Sequence, residues 1–300
     1  MSSTTTGDGP ALRASGLTLS YRRSRGGPSL DDCTFEVPVG SVCALVGTNG
    51  AGKTTLLEAA AGLLRPTSGS LSVLGLPPGA ARSRVGYLAQ DRPLPPKLTV
   101  RSVLRLGADL NPGRWDAAFA AEIASEVHLH PRSRVGDLSG GELTRLAFAL
   151  ALGKRPELLL LDEPMADLDV VARHQLMGVL LGHCSEYGAT ALVSSHIISE
   201  LGDACDHLVL LDGGRVVLAG DIDDLLAAHT EVTGLGTGAD LAPHTVITER
   251  PNGRGTTALI RPQGPVDERW LRREPSLEEL VLAHLGGVTA PSLVLKESLV

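Results

Sequence analysis

Apolar and polar positions alternate near the start of the chain and then give way to short, wholly apolar runs. Residues 12–21 follow the pattern L-x-A-x-x-L-x-L-x-Y, and residues 33–37 resume a strand-like pattern after a polar loop. We expect these segments to pair as an antiparallel edge sheet. Residues 41–46 form an apolar run followed at once by glycines, and residues 54–64 have the alanine and leucine content of a helix. The order strand, glycine turn, helix indicates a parallel α/β core.

A different pattern occupies residues 91–135, where the proline-rich segment DRPLPPKLT precedes helical patterns at 100–108 and 115–127. We expect a mostly helical insert here, between two parts of the α/β core. The elements predicted after it are a helix at 141–152, an apolar strand at 158–161, a helix after Val170, a strand at 189–195 and the hairpin HLVLLDGGRVVLAG.

After this hairpin the patterns weaken, although residues 245–249 and 256–260 still resemble strands and 275–285 begins a helix. Ser276 and Glu279 have the spacing of a capping box at the start of that helix. The chain therefore divides, by prediction, into three parts. These are a disordered start at 1–10, a core domain at 11–221 with a helical subdomain at about 91–140, and a small α+β appendage at 222–300.

Composition narrows the classes of protein that fit this pattern. The chain has 300 residues and a net charge of −7, whereas a dedicated nucleic-acid binder usually carries a basic excess, so no nucleic-acid partner is expected. No apolar run approaches the roughly 18 to 20 residues needed to cross a bilayer. The start, MSSTTTGDGP, lacks the basic and then apolar order of a secretory signal. We therefore expect a soluble intracellular protein.

The glycine turn after the 41–46 run has the chemistry of a phosphate-binding loop. Its sequence, GTNGAGKT, fits G-x-x-x-x-G-K-[ST] at every fixed position, between a buried strand and a helix. Backbone N–H groups and the helix N-terminus would face the phosphates, with Lys53 reaching the β- and γ-phosphates and Thr54 holding Mg²⁺. A chance glycine turn is the alternative, and the motif alone also fits kinases, GTPases and many ATPases. The predicted nucleotide-binding residues of this segment are Gly47, Thr48, Asn49, Gly50, Ala51, Gly52, Lys53, Thr54 and Thr55.

A pair of acids ends the apolar run LLLLDEP. The carboxyl ends of strands in open α/β sheets are where ligands bind. Asp162 is suited to the Mg²⁺ shell, and Glu163 is suited to polarise an attacking water as general base. The alternative interpretation is a strand that ends in a solvated acidic loop.

The segment LSGGE, residues 138–142, resembles the signature motif of the ABC ATPases. Four further features resemble that family and occur in its order: an adenine-stacking aromatic at Tyr21, a hinge glutamine at Gln90, a crossing loop at 167–169 and a switch histidine at His196. The resemblance covers about residues 11–221. It implies a P-loop NTPase core of ABC type with an antiparallel β-subdomain and a helical subdomain, followed by the small α+β appendage.

This resemblance implies ATP and Mg²⁺ as cofactors and assigns roles to individual residues. Glu163, His196 and Gln90 fall at the catalytic centre, while Thr54, Gln90 and Asp162 fall near the metal. A lone tyrosine at a strand end is usually packing, and an N-cap is the ordinary role of a serine before a helix, so these alternatives remain open.

In the family, two subunits pack head to tail and each signature closes on the ATP held by the other. The positions that match this half of the site are Ser139, Gly140, Gly141, Glu142 and Asp169. The resemblance thus implies a second ATPase subunit as partner, identical or not, and a separate multi-span membrane permease subunit. It also implies a cytoplasmic location, peripheral on the inner face of the cell membrane.

The tail PSLEELVLAHLGG resembles the C-terminal end of ATPase subunits in bacterial exporters, so we expect an exporter ATPase. The ATPase of an importer is the first alternative, because the core motifs are shared. A soluble ABC ATPase acting on DNA or ribosomes is the second, and the acidic charge and single motif set weigh against it.

Overall fold

The computed structural model describes residues 9–21, 27–125, 129–195, 204–286 and 292–295. The predicted switch histidine, His196, lies outside the described residues, as does most of the predicted disordered start. Within the described residues the strands, in chain order, are β1 (Leu12–Leu19), β2 (Leu30–Val37), β3 (Val42–Gly47), β4 (Ser68–Val73), β5 (Val85–Leu88), β6 (Leu158–Leu161), β7 (Thr190–Ser195), β8 (His207–Asp212), β9 (Arg215–Asp221), β10 (Thr230–Gly234), β11 (Thr245–Asn252), β12 (Gly255–Arg261), β13 (Leu271–Arg273) and β14 (Leu293–Val294).

The α-helices of the same residues lie mainly between strands and in the insert. They are α1 (Lys53–Ala60), α2 (Pro78–Ala81), α3 (Val100–Leu110), α4 (Ala117–Ser125), α5 (Gly140–Gly153), α6 (Val170–Tyr187), α7 (Ile222–Ala227) and α8 (Leu277–Gly286). None of the helices in these described ranges is both long and apolar enough to cross a membrane.

The largest sheet has the strand order β14-β9-β8-β3-β7-β6-β5, and its strands are parallel except for the β8–β9 hairpin. This arrangement confirms the predicted α/β core. The sequence patterns did not predict β5, which pairs with β6 at the edge of the sheet.

The apolar run of β6 shows why this sheet has continuous hydrophobic strands. All four leucines are fully buried, with Leu159 and Leu161 in the core on one face and Leu158 and Leu160 in the core on the other. Burial of a leucine side chain contributes about 1.5–3 kcal/mol, so both faces of the strand stabilise the fold. A polar residue in such a strand has no solvent-facing side and must find a partner inside.

A second, antiparallel sheet has the order β2-β1-β4 and covers the face of the core that also receives α1. The predicted pairing of β1 with β2 is present, with Leu12 opposite Val37 and Leu19 opposite Leu30. The third strand, β4, was not predicted, because the first half of its sequence SGSLSV is exposed and polar. The helical insert is formed by α3, α4 and the first part of α5.

The last part of the chain forms a third sheet, of order β11-β12-β10-β13, with its own small core around Val232, Ile260 and Trp270. Helix α8 contributes Leu280 and Val281 to the main core instead. Strand β14 returns to the main sheet and pairs in parallel with β9. The domain boundary at 221 stays a prediction.

Candidate active site

The phosphate-loop motif connects β3 to α1 in the order that the sequence predicts. Gly52 is the N-cap residue of α1, with φ of 107°, and no side chain caps the first turn of the helix. A Cβ atom at Gly52 would lie 2.5 Å from the Ser29 carbonyl oxygen, and one at Gly47 would lie 2.4 Å from that of Leu211. Only glycine fits at both positions, and the loop therefore leaves backbone N–H groups at a positive helix end.

Lys53 is held against this loop and not extended into solvent. Its side chain is 7% exposed, and its Nζ donates to the carbonyl oxygens of Gly47 at 2.8 Å and Thr48 at 3.4 Å. The Nζ also lies 3.7 Å from Glu163 Oε1. Neighbouring Thr54 is exposed and follows on the first turn of the helix. Lys53 thus links the phosphate loop to Glu163, the second of the two acids that follow β6.

Asp162 is fully buried at the end of β6. Its Oδ1 accepts a hydrogen bond of 2.7 Å from Ser194 Oγ, while its Oδ2 has no hydrogen-bond partner among the described residues. A buried carboxylate oxygen without a hydrogen-bond partner destabilises the fold unless a cation binds it. The site therefore fits a hard divalent ion. The described residues hold no cluster of three or more His, Cys, Asp or Glu, so such an ion would also need phosphate and water oxygens.

Glu163 adopts a backbone conformation that is rare for a side chain of its size. Its φ is 46°, and its N–H donates to Ser194 Oγ at 2.8 Å. Ser194 on β7 therefore bonds both acids at once. The sequence patterns did not predict a role for this serine. The available signal was a polar residue inside a fully buried strand next to β6.

Tyr21 lies beside α1, and Gln90 lies at the edge of the sheet where β5 and β6 end. The Tyr21 side chain is half exposed, and its hydroxyl lies 3.4 Å from both Thr55 Oγ1 and Glu58 Oε2, which places the tyrosine beside α1. Gln90 is exposed, two residues beyond Leu88, which pairs with Leu161 two residues before Glu163. Because β5 and β6 are parallel, Gln90 and Glu163 lie at the same edge of the sheet.

The signature segment caps helix α5. Ser139 and Glu142 form a capping box, with Ser139 N–H donating to Glu142 Oε2 at 2.8 Å and Glu142 N–H donating to Ser139 Oγ at 3.3 Å. Hydrogen bonds from the Ser139 N–H and hydroxyl lower the pKa of Glu142. Within this chain, Ser139 therefore serves as the N-cap of α5. That the same segment binds an anion stays a prediction.

The crossing loop packs against the signature. A Cβ at Gly140 would lie 3.4 Å from Asp167 Cβ, and one at Gly141 would lie 3.6 Å from Leu168 Cδ2. Asp169 caps α6, its Oδ1 accepting from Ala172 N–H at 2.9 Å. The predicted residues thus form two groups, one around Lys53 and one at the start of α5.

Comparisons with known proteins identify the family of this chain. Residues 30–166 match the ABC transporter family. The chain is 34% identical over 285 residues to the Nod factor export ATP-binding protein I of Cupriavidus metallidurans, covering 86% of this chain and 92% of that protein. It is also 34% identical over 273 residues to the molybdenum import ATP-binding protein ModC 1 of Azotobacter vinelandii, covering 85% and 73%.

A solved ATP-binding subunit of an ABC transporter superimposes with a TM-score of 0.64 and 30% identity, over 72% of this chain and 92% of that one. The fold, with its glycine loop between β3 and α1, defines a P-loop nucleotide hydrolase. The chain belongs to the ABC transporter family, as one of its ATP-binding proteins, and it is an ATPase.

Proposed function

We propose that this chain is the ATPase subunit of an ABC exporter and that it powers a separate multi-span membrane permease. The proposed ATPase chemistry rests on one observation, the group formed by Lys53, Asp162, Glu163 and Ser194. The proposed direction rests on the tail, which resembles exporter subunits, and on the similarity to a Nod factor export protein.

The chemistry of this group follows from its contacts. A Mg²⁺ ion held by Asp162 and Thr54, with Gln90 at its edge, would neutralise charge on the transferred phosphate. When ATP binds, Lys53 gives up its hydrogen bonds to the Gly47 and Thr48 carbonyl oxygens and donates to the phosphates instead. Glu163 accepts the proton of the attacking water, and Ser194 keeps its backbone in place.

The signature group belongs, in this proposal, to a shared site. Helix α5 directs its N-terminus toward the ATP of a second ATPase subunit, and Asp169 lies in the loop that crosses to that subunit. Because the partner's phosphate would meet Ser139, Gly140 and Gly141, ATP binding and dimerisation are linked.

The permease has a candidate docking surface beside Gln90. A cleft of about 410 Å³ lies between the core sheet and the helical insert, lined by Tyr87, Leu88, Leu94, Leu150 and Ala151 among others. We call it the insert cleft. Its apolar walls suit a short amphipathic helix of a membrane subunit, and its position next to β5 would let docking act on the active site.

The catalytic assignment is tested with Glu163→Gln, which keeps the shape of the side chain and removes the base. We expect a loss of steady-state ATPase activity of at least a hundredfold and ATP-dependent dimerisation by light scattering. Glu186→Gln, an exposed change on α6, is the matched control and should hydrolyse ATP normally. Full activity in Glu163→Gln would show that another residue is the base.

An importer ATPase is the second candidate, because a molybdenum import protein is as similar in sequence as the exporter relative. Co-purification with the membrane protein encoded beside this chain, followed by transport in inverted vesicles, separates the two. ATP-driven uptake into inverted vesicles supports export. A requirement for a substrate-binding protein supports import, and failure to bind any membrane protein supports a soluble role.

A further inference from the structure

Arg92 is a buried cation two residues after Gln90, where the chain leaves the core sheet for the helical insert. Its side chain is 5% exposed, and its φ is 43°, in the left-handed region that a bulky residue seldom adopts. A guanidinium keeps its charge in proteins, so its burial requires a nearby anion.

Asp167 supplies that anion. Its Oδ2 lies 2.5 Å from Arg92 Nη1, and its own side chain is 55% exposed. The Arg92 Nε has no hydrogen-bond partner in the part of the chain that the structure describes, so compensation of this charge depends on Asp167. The crossing loop is thereby fixed to the segment after Gln90.

Each member of the pair also touches a second feature. Arg92 lines the insert cleft together with Pro93 and Leu94. On the other side, Asp167 lies next to the signature, because a Cβ atom placed on Gly140 would be 3.4 Å from Asp167 Cβ. The ion pair therefore spans the distance from the cleft wall to the signature.

We propose that Arg92 and Asp167 act as a positioning pair that passes occupancy of the insert cleft to the signature and the crossing loop. This inference rests on the proposed docking of a permease in that cleft. A helix that enters the cleft presses on Arg92, and Asp167 must follow, because separating them leaves a buried charge uncompensated. Movement of Asp167 then shifts Gly140 and the start of α5, which sets the turnover rate of the shared site.

The first test uses the isolated subunit with Mg·ATP. Arg92→Gln and Asp167→Asn should each lower kcat about three- to tenfold and leave the KM for ATP within about twofold, because Lys53 and its loop are untouched. The double variant should be no slower than the slower single variant, and Arg92→Lys, which keeps the charge, should recover most of kcat. The proposed coupling of Arg92 and Asp167 would be contradicted if their effects on kcat were additive in the double variant, or if kcat were unchanged in both single variants.

A control separates positioning from stability. Arg13 and Glu36 form a surface ion pair at 2.9 Å on the antiparallel sheet, and Arg13→Gln removes an ion pair without touching the cleft. It should leave kcat unchanged. If Arg92→Gln does not fold, Asp167→Asn carries the test, because Asp167 is half exposed and asparagine keeps a hydrogen-bond acceptor.

The second test adds the membrane protein that co-purifies with this chain, reconstituted in lipid nanodiscs. Stimulation of the unmodified ATPase that is lost in Asp167→Asn, with binding to the nanodisc retained, supports the inference. Equal stimulation of both proteins overturns it. No binding or stimulation of the unmodified chain contradicts the proposed function instead, so the two failures are distinguishable.

Discussion

Ser194 donates a 2.7 Å hydrogen bond to Asp162, across two neighbouring strands of the core sheet. The same hydroxyl oxygen accepts the backbone N–H of Glu163 at 2.8 Å. One buried serine thus fixes the side chain of one acid and the left-handed backbone of the next. The geometry of these two acids, which we propose for the metal and the general base, therefore depends on a residue of the neighbouring strand.

Removing this hydroxyl should slow hydrolysis more than it weakens ATP binding. In Ser194→Ala the N–H of Glu163 and one oxygen of Asp162 lose their partner, at a cost of about 1–3 kcal/mol. We expect kcat to fall roughly tenfold, measured by phosphate release, with little change in the KM for ATP. Ser41→Ala is the control, because Ser41 is also buried and donates to the Pro38 carbonyl outside the site. Equal kcat in both variants would contradict the role of Ser194.

The parts of the molecule that the sequence predicts well are those fixed by neighbours along the chain. The phosphate loop needs Gly47 and Gly52 between a strand and a helix. The four consecutive leucines of β6 are typical of a strand that is buried on both faces. Such features are local, so periodicity and glycine spacing reveal them.

The missed features depend on residues far apart in sequence. Ser194 meets Asp162 across 32 positions, and Arg92 meets Asp167 across 75. Pairing of β7 with β6 and the path of the insert decide both contacts, and no local pattern encodes them. Strand β4 escaped prediction for a different reason, since antiparallel pairing with β1 stabilises a half-polar segment that has no clear alternation of its own.

The glycine at the start of α1 offers a test of the loop geometry. Gly52→Ala forces a Cβ to within 2.5 Å of the Ser29 carbonyl, at a φ of 107° that alanine rarely adopts. We expect ATP binding, followed by a fluorescent nucleotide analogue, to weaken at least tenfold. Gly178→Ala lies on the exposed face of α6 with open space around it, and it should bind normally and gain about 0.5–1 kcal/mol of stability. Normal binding by Gly52→Ala would contradict the tight-turn interpretation.

Tyr21 tests whether a half-exposed aromatic beside α1 is a nucleotide platform or only packing. Stacking of a base on an aromatic ring contributes about 1–3 kcal/mol, so Tyr21→Ala should raise the KM for ATP about tenfold and leave kcat nearly unchanged. Tyr21→Phe keeps the ring and loses only two hydroxyl contacts of 3.4 Å, so its KM should stay close to that of the unmodified protein. A similar KM in all three proteins would leave packing as the role of Tyr21.

Two buried histidines, His229 and His284, are in contact in the C-terminal part of the chain. His229 Nδ1 donates to the Leu225 carbonyl at 2.7 Å, which leaves its Nε2 free of a proton to accept from His284 Nε2 at 3.3 Å. Both rings are buried. Burial, the neighbouring His229 and the charge of Arg261 lower the pKa of His284 to about 4, and burial likewise lowers the pKa of His229.

Stability should therefore fall as the solution is acidified. As the pH falls, a histidine whose pKa is lowered by folding is protonated in the unfolded chain at a higher pH than in the folded protein. Stability is therefore lost between about pH 6.5 and pH 4, and it levels off below pH 4. We expect a loss of about 3 kcal/mol across this window, measured by urea unfolding with the fluorescence of buried Trp270. His284→Leu should flatten this dependence, because a leucine cannot take up the proton that drives it. His174→Gln, an exposed change on α6, should not. An equally steep loss in His284→Leu would place the acid sensitivity elsewhere in the chain.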